Sequence, residues 1–359
     1  MIARALVYCE NEFGKIDGKV ANGLARHSKK YTVLGIIDST KSGLDTGEYL
    51  DGKKNGIPVF ASTNAAIEKL GYVPEYFIYG IAAQAAFLDQ EQRTVILGAM
   101  KAGMNFVNGL PEFFTEDEEF IRKAIEYRVH LYDMRKAPAR KHLHYFSGRI
   151  KEVTTPVIAV LGTDCAVGKR TTAVSVVEAL KKVGLNPAFI ATGQTGLLQG
   201  AKYGIAVDVL TSGFATGEIE NAVINAHEKE NPDIIVVEGQ GALSHPAYTS
   251  SVAILRGALP DAIILQHPPE RKNHCDYPDI PMPTLKSEIE LIETFSKSKV
   301  VAITINHEHM TDDKVKSTIA EYETKYELPA TDVLKFGCDK LVKTLFTIFP
   351  DLQKNAGAI

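Results

Sequence analysis

The stretch from Val157 to Thr172 reads VIAVLGTDCAVGKRTT, and its reading decides the fold. An apolar run, Val157 to Leu161, stops at Gly162; a loop of small residues follows, and Gly168-Lys169 opens a run of helix formers extending to Lys182. Strand, glycine-bounded loop, lysine and helix in this order make an anion cradle. The loop N–H groups and the helix N-terminus point at the anion, and the lysine reaches round it. The pattern G-x-x-x-x-G-K-[ST] is departed from twice. Five residues separate Gly162 from Gly168, and Arg170 stands where Ser or Thr would ligate magnesium. Gly162, Thr163, Asp164, Cys165, Ala166, Val167, Gly168, Lys169, Arg170 and Thr171 are therefore the expected cofactor-binding residues.

Working outward, residues 1–135 alternate strand-like and helix-like segments. Ala3–Cys9, Tyr31–Asp38, Gly56–Phe60, Tyr76–Gly80, Asn105–Val107 and Val129–Tyr132 read as strands, with helical patterns between them. Such alternation predicts a parallel sheet covered by helices on both faces. No G-x-G-x-x-G follows the first strand, which argues against a tightly held dinucleotide. Asp38, ending the second strand, is placed either to bond a ribose or to cap a loop. Residues 136–155, with Pro138 and several basic residues, read as a linker, and 156–359 as a second α/β domain carrying the cradle. Val33–Phe60 resembles the Rossmann-like coenzyme A-binding domain of succinyl-CoA ligases.

Composition agrees with two domains of ordinary size. The chain has 359 residues, of which 45% are hydrophobic and 23% charged, with net charge −4, so nothing electrostatic favours nucleic acid or an anionic membrane. No apolar run approaches the ~18 residues that span a bilayer. The opening MIARALVYCE reads as a first strand rather than a signal peptide, and the four scattered cysteines fit reduced thiols in a cytoplasm.

Within the second domain, polar groups gather after strand ends. Pro187–Ala191 leads into TGQTG with Gln194 and Thr195, expected to form a substrate-binding loop. Asp233–Val237 ends at Glu238, followed by GQGALSHPAY. An acid there orients magnesium in phosphate-loop enzymes or acts as a base. Asp261–Gln266 precedes a proline-rich loop carrying His267, Arg271, His274 and Tyr277, with Arg271 placed to grip a carboxylate. The histidines are too loosely spaced to predict a metal, and none is expected. Val300–Ile305 ends at Asn306. Cys165 is read as a small loop residue, because no histidine stands at fixed spacing from it.

The motifs GTDCAVGKRTT and VVEGQGALSHPAY resemble dethiobiotin synthetase, which would put an adenine nucleotide on the loop and Asn306 near the base. The whole chain is more similar to a bacterial family long labelled as a domain of unknown function, with a Rossmann-like and a phosphate-loop half. GTDCAVGKRTT, ATGQTG, VVEGQGALSHPAY and HPPERK carry that resemblance. Members are assigned as D-glutamate N-acetyltransferases, so it implies acetyl-CoA as donor and D-glutamate as acceptor, with the CoA phosphates on the loop. On that reading Glu238 is the base, with Asp164 or His245 behind it, and N–H groups around Gly239–Gly241 stabilise the oxyanion. Gln194, Thr195, Gln240, Ser244, Arg271 and Tyr277 would hold the acceptor. The alternatives are an ATP- and magnesium-dependent ligase or kinase, and a non-catalytic nucleotide sensor. The expected partners are a small-molecule substrate and further copies of the chain in a homo-oligomer.

Overall fold

The computed structural model describes residues 2–82 and 87–357. The chain divides into two compact units, Met1–Ala137 with Gln194–Gly200, and Pro138–Gly193 with Ala201–Ile359. Among the described residues no helix is long and apolar enough to cross a membrane.

The first unit is a parallel sheet of β1 (Ala3–Tyr8), β2 (Tyr31–Ile37), β3 (Val59–Phe60), β4 (Tyr76–Tyr79), β5 (Asn105–Asn108) and β6 (Leu131–Asp133). Their order, β3-β2-β1-β4-β5-β6, is that of a Rossmann-like half-and-half sheet. The central strands are apolar on both faces because helices cover both, so Leu6, Ile36, Phe77 and Phe106 lose all contact with water. Asp38 follows β2 and is fully buried. It accepts from the N–H of Phe13 (3.2 Å) and of Thr40 (3.0 Å), from the Thr40 hydroxyl (2.5 Å) and from Lys41 Nζ (3.2 Å). Of its two sequence readings the loop cap is the one realised; no oxygen is left for a ribose.

ATGQTGLLQG departs from expectation. Gln194–Leu198 is a short helix belonging to the first unit, not a loop of the second. Leu198 joins the first unit's core, and Gln199 Nε2 bonds the carbonyls of Gly23 (2.8 Å) and His27 (2.9 Å). The apolar Leu197-Leu198 pair, read as part of a polar loop, decides the segment: it needs a core to bury in. Gln194 and Thr195 thus stand on this helix, with Thr195 buried.

The second unit is also parallel, with β7 (Val157–Gly162), β8 (Pro187–Ala191), β9 (Tyr203–Gly204), β10 (Ile234–Glu238), β11 (Ala262–His267), β12 (Lys299–Ile305) and β13 (Ala330–Thr331) in the order β13-β12-β11-β7-β10-β8-β9. From β7 the chain goes out to β8 and β9 on one side, returns to place β10 between β7 and β8, and then crosses to β11 on the other side of β7. β7 therefore lies at the point where the winding changes direction, and its carboxyl end is where such sheets take ligands. All six of its residues are buried.

The stretch read as a linker is built into this unit from Pro138 onward. Its backbone N–H groups lack a regular partner and find two buried acids on the helix Ser212–Glu230. Glu218 accepts from the N–H of His144 (2.5 Å), and Glu220 from those of Ser147 (2.6 Å) and Ile150 (3.1 Å). Arg149 pairs with Glu152 and Glu228 at 3.0 and 2.6 Å.

Candidate active site

The cradle forms as its spacing predicts. β7 ends at Gly162, and Gly168 (φ 103°) turns directly into the helix Lys169–Lys182, whose start no side chain caps. The extra residue in the loop is accommodated by Ala166, which takes the left-handed conformation at φ 51°. Val167 is buried as the loop's plug. Lys169 is 6% exposed and bonds the carbonyl of Asp164 at 2.5 Å. Its stem runs between two glycines: a Cβ on Gly162 or Gly239 would come within 2.9 and 3.1 Å of Lys169 Cδ. A Cβ on Gly239 would also meet the Val160 carbonyl oxygen at 2.2 Å, so glycine is required there. Beneath the loop, Gln266 Oε1 accepts from Thr172 (2.6 Å) and Thr304 (2.5 Å), and Thr163 Oγ1 lies 2.8 Å from His267 Nδ1.

Asp164 anchors the loop. Its fully buried carboxylate takes His274 Nδ1 at 2.7 Å on one oxygen, and Arg271 Nη1 (2.9 Å) and the Cys275 N–H (2.8 Å) on the other. Burial would raise this carboxyl, yet those donors together hold it below the ordinary range. Arg271 also donates through Nε and Nη2 to Glu308 at 2.7 Å each, and through Nη1 to the Cys165 carbonyl at 2.9 Å. Read as a grip for a substrate carboxylate, Arg271 instead binds two carboxylates of the protein itself. Asp164, read as catalytic, is a strut that fixes the 271–275 loop against the cradle.

His245, read as standing behind the base, is also engaged by the protein. Its Nδ1 accepts the N–H groups of Ala247 (3.2 Å) and Tyr248 (3.3 Å), which assigns the ring proton to Nε2. That Nε2 faces Asp164 Oδ1 at 3.6 Å and Cys165 Sγ at 3.9 Å. Burial and the adjacent His274 lower its pKa, so it stays a neutral donor. The fold thus supplies the histidine that Cys165 lacked in sequence. Asp164, His245 and His274 each offer a metal-ligating atom within 4.8 Å of the others, as do Cys165, His245 and Asp276; within these sets Asp164 and His274 are hydrogen-bonded at 2.7 Å and Cys165 Sγ lies 3.9 Å from His245 Nε2. Tyr277 packs its ring against His245 with centroids 5.9 Å apart.

Glu238 occupies the end of β10, beside β7 and β8. It is 5% exposed, and its Oε2 accepts the Thr192 N–H at 3.1 Å. Burial pushes its carboxyl up to about 7, against the pull of the Arg170 charge, the N–H groups of Thr192 and Gly193, and Lys169. Gln240 donates to Thr192 Oγ1 at 2.8 Å, while Thr192 donates to the Glu238 carbonyl at 3.0 Å. Thr192 is a site residue that sequence reasoning missed, though it directly follows a strand end. Ser244, expected to meet substrate, donates instead to buried Glu288 at 2.6 Å, which also takes the Leu243 N–H at 2.6 Å. Glu288 had no sequence signal beyond a helical acid. Asn306, expected near an adenine, closes a turn on Glu308, whose N–H its Oδ1 accepts at 3.1 Å.

Within the second unit, then, two groups form. Glu238, Thr192 and Gln240 are linked by hydrogen bonds, with the charges of Arg170 and Lys169 bearing on Glu238; Asp164, Cys165, His245, Arg271, His274 and Tyr277 gather around the Asp164 carboxylate and the His245 ring. Gln194 and Thr195 stand in the first unit.

Residues 144–342 match the model of the domain of unknown function DUF1611_C, described as a P-loop domain, and residues 39–137 that of DUF1611_N, described as Rossmann-like. A protein of a Pseudoalteromonas species named D-glutamate N-acetyltransferase is 30% identical over 275 residues, covering 75% of this chain and 80% of that one. One of the same name from Tritonibacter scottomollicae is 29% identical over 277 residues, covering 76% and 81%. The crystal structure of a DUF1611 family protein from Anabaena variabilis superimposes with a TM-score of 0.87 at 29% identity, over 96% of this chain and 99% of that one. The chain belongs to the DUF1611 family, with its Rossmann-like N-terminal and P-loop C-terminal domains.

Proposed function

We propose that this protein is an N-acetyltransferase that moves the acetyl group of acetyl-CoA to the amine of D-glutamate. The observation that carries the reading is Glu238: a buried carboxyl at a strand end, next to Gly239, against which the stem of the cradle lysine packs. Acetyl transfer to an amino acid needs the ammonium deprotonated as nitrogen attacks the thioester carbon. A base is most effective when its pKa lies near the working pH, and Glu238, pushed up to about 7, meets that condition. Glu238 takes one ammonium proton and frees the nitrogen lone pair; attack turns the carbonyl oxygen negative, and as the tetrahedral intermediate collapses the C–S bond breaks and the second nitrogen proton goes to the departing sulfur, giving the amide and free coenzyme A thiol. N–H donors around Gly239–Gly241 and the Lys169 ammonium are the groups at hand for that oxygen. The two relatives named for this activity support the choice of acceptor and of the group transferred.

The cradle receives an anionic group of one substrate, either the CoA phosphates or a carboxylate of the acceptor. Arg170 at the usual magnesium-ligand position disfavours the ATP- and magnesium-dependent alternative, since a fixed cation repels the metal. The four free cysteines fit work in a reducing cytoplasm, and homo-oligomers are common for such enzymes. The test is incubation of purified protein with acetyl-CoA and D-glutamate, following N-acetylglutamate and free coenzyme A by mass spectrometry. Product without metal supports the proposal. Turnover only with ATP and magnesium, releasing ADP, would replace it with the ligase or kinase.

A further inference from the structure

Residues 138–151 carry Arg140, Lys141, Arg149 and Lys151 with His142 and His144, and not one acid, in a chain of net charge −4. Arg149 is engaged by Glu152 and Glu228. Arg140 and Lys141 are exposed, and neither pairs with a carboxylate among the described residues. The backbone beside them is fixed on the helix Ser212–Glu230, whose glycines let it lie flat. A Cβ on Gly217 would meet the His144 carbonyl oxygen at 2.2 Å, and one on Gly213 would meet Tyr145 Cε1 at 3.2 Å. Glu218 holds the same turn through the His144 N–H (2.5 Å) and Nδ1 (2.9 Å). The Tyr145 ring packs on Phe214 with centroids 4.3 Å apart, yet Tyr145 stays 63% exposed. The Arg140 guanidinium carbon lies 5.6 Å from the centre of the same Phe214 ring. Phe214 therefore covers one side of a fixed aromatic ring, and the open side has a guanidinium beside it.

Topology puts this ring at the edge of the sheet where Glu238 stands. The helix follows β9 and leads into β10, and both strands run parallel to β8. It therefore runs back against them, with its first turns at their carboxyl ends. The connection from β9 passes Thr192, whose carbonyl accepts the Val207 N–H at 3.0 Å and whose own N–H reaches Glu238. From Val207 to Phe214, a 3₁₀ turn over Val207–Val209 and the helix from Ser212 shorten the span to roughly 16 Å at most. In acetyl-CoA, sulfur and the first phosphorus lie roughly 15 Å apart when extended, at about 3.5 Å for every three chain bonds, and the nucleoside lies roughly 8 Å beyond. A donor with its thioester at Glu238 is long enough to lay its nucleoside end on Tyr145.

Resting on the acetyltransferase reading, we propose that Arg140, Lys141 and Tyr145 bind the adenosine phosphate end of the acyl donor. The base stacks on the open face of Tyr145, which suits any purine because every base has a flat π-face. Arg140 takes phosphate oxygens with parallel N–H donors, and Lys141 adds a point charge. Because Glu218 and the two glycines already fix the backbone, little ordering is left for binding to impose.

The experiment compares the full-length chain with the double variant Arg140→Gln/Lys141→Gln and with Tyr145→Leu, each checked for an unchanged circular dichroism spectrum. Lys151→Gln removes one charge from an exposed position elsewhere on the same segment and serves as the control. Calorimetry gives Kd for coenzyme A, adenosine 3′,5′-bisphosphate and ATP, and kinetics give KM for acetyl-CoA and D-glutamate. The double variant and Tyr145→Leu should each weaken coenzyme A and the bisphosphate at least fivefold and raise KM for acetyl-CoA to match. KM for D-glutamate should stay within twofold, and Lys151→Gln should leave every Kd within twofold. Unchanged coenzyme A and bisphosphate binding in the variants, or none in the wild type, overturns the site. An equal loss in Lys151→Gln reduces the effect to general charge and overturns it too. ATP binding that the variants abolish, with no coenzyme A binding, overturns the assignment to the donor. Should the wild type make no N-acetylglutamate, the acetyltransferase reading falls separately, and loss of bisphosphate binding in the variants still establishes the site.

Discussion

Asp38 and Glu238 occupy the same place in two sheets of the same kind. Each follows an apolar parallel strand at its carboxyl end, and each is almost wholly buried. They differ in partners. Asp38 receives backbone N–H groups, a hydroxyl and the Lys41 ammonium, and becomes a loop anchor. Glu238 receives the N–H groups of Thr192 and Gly193, from the loop after a neighbouring strand, and the charges of Arg170 and Lys169 bear on it. A strand-end acid is thus not a functional signal by itself. What distinguishes a poised carboxyl from an anchoring one is whether the loop after the strand satisfies it locally, and that depends on residues far apart in the chain.

The largest expected effect comes from removing the poised acid. Glu238→Gln keeps size and burial while abolishing proton acceptance, so kcat for acetylation should fall by about 10²–10⁴. KM for D-glutamate should change little. A steady-state assay that found full turnover would make Glu238 an anchor like Asp38.

The fold was legible because periodicity and strand-end punctuation are local. Both parallel sheets, the cradle, and the positions of Lys169 and Glu238 follow from apolar runs and the glycines that stop them. Partners in space were not legible. Arg271 looks like a free cation in HPPERK, and only folding shows it 2.7 Å from Glu308 and 2.9 Å from Asp164. Ser244 likewise loses its hydroxyl to Glu288, 44 residues on. The Gln194–Gly200 segment reads as a second-domain loop because its neighbours do; its place in the first unit rests on Leu198 and Gln199 meeting residues more than a hundred positions earlier.

Next in size is Asp164→Ala. It leaves the Arg271 charge with one carboxylate partner instead of two and strips the acceptor from His274 and the Cys275 N–H. Breaking a buried ion pair from one side costs about 3–5 kcal/mol, which denaturant unfolding would register. A loss under about 1 kcal/mol would mean that the 271–275 loop is not fixed through this carboxylate.

The Glu238 carboxyl also makes stability depend on pH. A Glu238 carboxyl raised from 4.5 to about 7 binds its proton more tightly in the folded state than in the unfolded chain. Stability from this group is therefore complete below about pH 4.5 and is lost as pH rises towards 7, by roughly 3 kcal/mol at 1.36 kcal/mol per unit. Urea midpoints measured from pH 5 to 7.5 should show this fall in the wild type, and Glu238→Gln should flatten it. Catalysis runs the opposite way, since kcat rises as the base ionises through about 7. A wild type and Glu238→Gln with parallel pH–stability curves would place the carboxyl in ordinary solvent contact.

The smallest effect is expected at Asp38, and it tests the comparison from its other side. Asp38→Asn keeps the shape and one acceptor oxygen. It replaces the second oxygen by an NH₂ that faces donors: the Phe13 N–H and Lys41 Nζ share Oδ2, and Thr40 uses Oδ1 through both its N–H and its hydroxyl. Whichever way the amide turns, at least one buried N–H, that of Phe13 or of Thr40, meets another donor. Leaving buried groups unsatisfied in this way costs about 1–3 kcal/mol in stability. The acetylation rate at saturating substrates should stay within twofold of wild type, because the loss lies in the folding of the first unit. Substitution of a strand-end acid would then damage stability in one sheet and turnover in the other. A drop in kcat for Asp38→Asn without loss of stability would show that both acids serve the reaction, and the contrast between the two sheets would have to be abandoned.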